Sequence, residues 1–162
     1  MYSRPHYHLG LLDLDDGDWA AARARFERAL HLAEIGPQAA DAELALWATL
    51  RAQGSAEADS YLRAARVSIE AIGPHTMYST ATHIAEVRAL SLLAEGEIEE
   101  AASEFKRAVM KEPQVAYYRR PIYTTLSTPP LDGLHRLVCE WSLAAKAKAN
   151  VSAPWGLASC AD

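Results

Sequence analysis

Apolar residues along this chain fall mostly at helical spacing, and one spaced pattern occurs twice. It reads Gly17-x-Trp19-x-x-Ala22-x-x-x-Phe26-x-x-Ala29 and again Gly96-x-Ile98-x-x-Ala101-x-x-x-Phe105-x-x-Ala108. The period is that of a helix with one buried face, not the alternation of a strand. Gly17, Gly54 and Gly96 each end one helical pattern and open another, while Pro37, Pro74 and Pro113 stand just past the second pattern of a pair. The intervals are 37 and 42 residues for Gly, and 37 and 39 for Pro. Repetition at that period is the mark of stacked helical hairpins.

The punctuation predicts a first hairpin over residues 4–34, with Ser3 as N-cap, Pro5 in the first turn and Asp18 capping the second helix. A second hairpin over 38–72 pairs a helix at 38–53 with one at 56–72, opened by Ser55 and stopped by Gly73-Pro74. A third over 79–111 pairs 79–95 with 97–111. Residues 115–126, interrupted by Pro121, and a helix from Thr128-Pro129-Pro130 to about Ala149 form a cap over 115–149. The last helix carries Leu131, Leu134, Leu137, Val138, Trp141 and Leu143 in one stripe, as a lid on the open end of a stack requires. Residues 1–149 therefore read as one all-α domain, and 150–162 as a loosely ordered tail.

Composition agrees and narrows the partners. Half of the 162 residues are apolar, enough to bury a core without disulfides or metal. The net charge of −5 gives no basic footprint, so neither nucleic acid nor an anionic membrane surface is the expected partner. Cys139 and Cys160 form neither a disulfide framework nor a C-x-x-C pair, which fits a reducing, cytoplasmic setting. No secretory leader and no membrane-spanning apolar run is expected.

In order and spacing these residues resemble the tetratricopeptide repeat, whose units of about 34 residues have a fixed set of large and small residues on two helices. The first unit supplies Leu9, Gly10, Gly17, Trp19, Ala22, Phe26, Ala29 and Pro37; the third supplies Ala85, Ala89, Leu92, Gly96, Ile98, Ala101, Phe105, Ala108 and Pro113. The second fits through Leu46, Trp47, Leu50 and Gly54, and its other helix fits as Ala58, Leu62 and Ala65 only after a two-residue shift of register. The stretch Ile72-Gly-Pro-His-Thr looks like the longer-helix variant of kinesin light chains and bacterial regulatory proteins. The resemblance covers residues 3–113 and implies a right-handed α-α superhelix that binds a protein segment in a groove lined by the first helix of each hairpin.

On that reading the groove residues are Tyr7, His8, Leu11 and Asp15 from the first unit, Leu44 and Arg51 from the second, and His83, Glu86 and Leu90 from the third. Tyr117, Tyr118, Arg119 and Arg120 close one end. The Lys and Asn of carboxylate-clamping relatives are missing from the corresponding positions, Tyr7, Leu11, Leu44, Ala48 and Arg51, which disfavours chaperone-tail binding. His6 and His8 are two apart and point to different sides of a helix, and no Ser/His/Asp spacing or Gly-rich phosphate loop occurs. The acidic clusters around Gly17 and Gly96 read as helix capping and solubility. No catalytic residue, metal or cofactor is expected. The alternative is an enzyme or small-molecule-responsive regulator reusing the scaffold, with His8, His83, Glu86, Tyr118 and Arg119 converging on a polar pocket. Self-association through the Trp141 face is a third reading.

Overall fold

The structure, a computed structural model, describes residues 2–34, 36–71, 84–85, 87–89, 91–92, 95, 97–111 and 122. Its helices are α1 (Ser3–Asp15), α2 (Trp19–Leu32), α3 (Pro37–Ala52), α4 (Ala58–Glu70) and α5 (Ile98–Lys111), and residues described between 84 and 95 are helical as well. Among the described residues every regular element is a helix. The expected cap over 115–149 and the tail lie outside them, apart from Ile122.

One turn design builds the first two hairpins. The Asp18 amide donates to the Asp13 carbonyl at 2.8 Å and the Gly17 amide to Leu14 at 3.2 Å. The Ser55 amide donates to Leu50 at 2.9 Å and the Gly54 amide to Arg51 at 2.9 Å. This double bond satisfies carbonyls that a helix end leaves unpaired, and it needs a left-handed residue, which Gly17 (φ 77°) and Gly54 (φ 69°) supply. The corresponding bond recurs in the third unit, from the Glu97 amide to the Leu92 carbonyl at 2.9 Å.

Local capping differs in detail from expectation. Asp18 caps α2, its Oδ1 accepting from the Ala21 amide at 3.0 Å. Ser3 is instead the first helical residue of α1, with Tyr2 at the cap position; the Ser3 hydroxyl is buried beside α3 and donates to Gln38. α4 starts later than residue 56, because the Ala58 amide bonds only three residues back, to Ser55 at 3.3 Å. That tight entry absorbs a missing residue: Ala58, Leu62 and Ala65 stand 4, 8 and 11 positions past Gly54, where Ala22, Phe26 and Ala29 stand 5, 9 and 12 past Gly17.

The hairpins pack in chain order, α1 on α2, α2 on α3 and α3 on α4, with α1 also touching α3. Small residues sit where helices approach: a Cβ on Gly10 would lie 2.6 Å from the Phe26 ring, and Ala22, Ala29, Ala65, Ala89 and Ala101 are buried. Phe26 and Leu62 are buried, Phe26 against Tyr7 and Gly10 of α1 within its own hairpin; the side chains of Phe105 and Ala108 lie outside the description. α3 is the axis of the described core. From Ala39 to Leu50 only Asp41 escapes full burial, and Ile122 joins the same cluster. A helix buried on all sides belongs in the middle of a protein, and this one takes Glu43 and Thr49 into the core with its apolar residues.

Candidate functional site

The groove residues expected from sequence separate into three sets. Tyr7, Leu11 and Leu44 are core residues, 7 %, 5 % and 3 % exposed. α3 is enclosed on all sides, so Leu44 and Ala48 present no face to a ligand in this fold. His8 and Asp15 are exposed on α1, the His8 ring meeting the edge of Tyr7 at 5.6 Å, and Arg51 is half-buried with its guanidinium 5.7 Å from the Trp47 ring centre. His83, Glu86, Leu90, Tyr117, Tyr118, Arg119 and Arg120 lie outside the described residues.

The space that the described residues do enclose lies elsewhere, between α4 and the helical residues after it. A cleft of about 560 Å³ is lined by Arg66, Ile69 and Glu70 on α4 and by Ile84, Val87, Arg88, Ser91, Leu92 and Glu95 opposite. Its floor is aliphatic and its rim is charged. Arg66 spans one end, donating from Nε to Ser91 Oγ at 2.6 Å and from Nη2 to Glu95 Oε1 at 2.7 Å. Glu95 thus serves as an ion-pair partner rather than a cap, as does Asp13, which binds Arg25 at 2.7 Å. Arg88 and Glu70 are exposed at the rim and make no ion pair among the described residues.

Counting from the turn glycines explains why a cleft opens here. The lining residues Ile84, Val87, Arg88 and Ser91 stand at the same distance before Gly96 as Ala42, Ala45, Leu46 and Thr49 do before Gly54. The second set is completely buried in the seam between α2 and α3, where Thr49 satisfies its hydroxyl on the Ala45 carbonyl at 2.8 Å. On the other wall, once the one-residue slip is counted, Arg66 takes the place of Leu30. A seam closed by two leucines in the first interface has two arginines in the second. Arg66 is tied across the cleft to Ser91 and Glu95, and the Arg88 guanidinium stays at the exposed rim. The groove expected from sequence did not include Arg66 and Arg88; the readable signal was a charge at a position that holds a leucine one unit earlier.

A second polar feature is buried in the α3–α4 hairpin. Glu43 is almost fully enclosed, with Oε2 unpaired among the described residues, and the Trp47 indole N–H one turn on is also unpaired. Burial pushes the Glu43 carboxyl above the ordinary carboxylate range, and a hydrogen bond from Ser68 pulls it partly back. No three His, Cys, Asp or Glu side chains converge as metal ligands among the described residues. Nor is any described helix long and apolar enough to cross a membrane.

The fold and site together define an all-helical stack of hairpins with an interhelical cleft. No protein-family model matches the chain, and neither does any curated protein or solved structure.

Proposed function

We propose that this chain is a non-catalytic protein-binding module, a right-handed superhelix of three hairpins of the tetratricopeptide kind, with its binding site in the cleft between the second and third hairpins. The observation that carries this reading is the cleft's position on a seam that is solidly packed one unit earlier. An interface position shaped to take a helix, and open here, offers a partner an aliphatic floor of Ile69, Ile84, Val87 and Leu92. The fitting ligand is a peptide segment with aliphatic side chains for Ile69, Ile84, Val87 and Leu92, an acidic group for Arg88 and a basic one for Glu70. Charges at the rim steer and orient, while the buried aliphatic contact supplies the affinity.

Affinity capture from the native host tests this with Arg88→Glu and Glu70→Arg against wild type, and with Val67→Ser, exposed on α4 but not among the cleft-lining residues, as control. The expected result is one partner retained by wild type and Val67→Ser and lost with both rim variants. Equal recovery with all four proteins would exclude the cleft as the binding site.

A further inference from the structure

We infer that the cleft takes its partner as an amphipathic helix of about three turns, laid in by one aliphatic stripe with an acidic residue on one flank and a basic residue on the other. This rests on the cleft being the binding site and adds the form in which the partner binds. Both walls are helical where they are described. Neither is a strand, so an extended segment would find no ladder of main-chain partners. Side chains do not replace one. No Asn or Gln lines the cleft, and three of its five polar side chains are already engaged with one another, Arg66 with Ser91 at 2.6 Å and with Glu95 at 2.7 Å. An extended backbone would leave water over the aliphatic floor with its amides unpaired. A helix bonds its own peptide groups and avoids that cost.

The pattern on the partner follows from what the cleft still exposes. Val87 and Ile69 are buried in the floor, 3 % and 6 % exposed, while Ile84 and Leu92 are half-buried and offer surface. These two stand eight residues apart on helical backbone, a rise of about 12 Å, which a partner helix matches with aliphatic residues at i and i+7 and a third between them. Glu70 and Arg88 are exposed on opposite walls, and neither makes an ion pair among the described residues. A helix in the groove therefore meets an anion on one flank of its stripe and a cation on the other. Turning the helix end for end exchanges its flanks, so the two charges also fix its direction.

Panning two phage-displayed peptide libraries against the full chain tests this. Both display twelve-residue peptides with varied aliphatic, acidic and basic positions. One is built on a helix-forming Ala and Gln background, and the other carries two central prolines that forbid the helix. Clones are counter-screened against Arg88→Glu and Glu70→Arg, whose folds are checked by circular dichroism. The expected result is enrichment from the helical library alone, of clones with aliphatic residues at i, i+3 or i+4, and i+7 and opposite charges on the two flanks, which both rim variants fail to hold. A proline placed mid-helix on the solvent side of such a peptide should weaken its binding by about a hundredfold. Rim-dependent clones from the proline library, alone or equally with the helical one, would overturn the helical inference and leave the cleft as the binding site. No rim-dependent clone from either library would overturn both.

Discussion

Gly10→Ala is the sharpest test of how the hairpins are packed, because two local effects of opposite sign compete at one site. In a helix interior, replacing Gly by Ala is worth about 1 kcal/mol in propensity. Here the added Cβ would stand 2.6 Å from Phe26 Cε1, 2.8 Å from Cδ1 and 3.0 Å from Cζ. Carbon atoms settle at about 3.5–4.0 Å, so the ring must retreat by roughly 1 Å. It has nowhere to go: Phe26 is fully buried, with the Tyr7 ring centred 5.9 Å away. Overpacking of this kind costs about 1–3 kcal/mol, so the net change is a loss of about 1 kcal/mol. For a chain of 162 residues that lowers the melting temperature by about 2–4 °C. Calorimetry of Gly10→Ala in the wild-type and Phe26→Leu backgrounds separates the terms. With the smaller Leu opposite, the alanine should become neutral or stabilising. A rise in melting temperature with Phe26 present, or the same effect in both backgrounds, would refute the close approach.

Three further outcomes follow from the same geometry. Ala101 is buried at the start of α5, and Ala101→Leu should cost about 1–3 kcal/mol in a denaturant melt. Gly54→Ala forces a side chain into a left-handed turn with open space around it, so strain alone should cost about 1–2 kcal/mol in the same assay. Glu43 holds its proton more tightly folded than unfolded, so its contribution to stability is complete below the unfolded value near pH 4.3 and is lost as pH rises through the folded one. Between those two values stability falls as pH rises, and Glu43→Gln should flatten that slope. An unchanged slope in that variant would show that other groups set the pH dependence.

The helices were legible in sequence because their ends are written in local chemistry. Gly17 and Gly54 mark left-handed turns, Asp18 a cap and Pro37 a boundary between hairpins, and each of these needs only its own neighbours to act. Ser3 misled because its hydroxyl serves a residue 35 positions away rather than its own helix. The groove was less legible. Spacing identifies which side of α1 or α3 a residue occupies, but not how many neighbours cover it, and α3 is covered on all sides. Arg66 and Arg88 line the cleft where Leu30 and Leu46 stand one unit earlier, and for Arg66 that correspondence is concealed by the one-residue slip after Gly54.

One packing face recurs in three states: uncovered on α1, where Leu9 is 42 % exposed, closed on α3, where Leu46 at the equivalent position is fully buried, and open as a cleft at residues 84–95. Thiol-labelling rates at three equivalent positions measure this directly, using Leu9→Cys, Leu46→Cys and Arg88→Cys, each in a background with Cys139→Ala and Cys160→Ser. The account predicts fast labelling at positions 9 and 88, and protection at 46 that is lost only when the protein is unfolded. Equal rates at all three in the folded protein, or protection at 9 and 88 with a reactive 46, would contradict it.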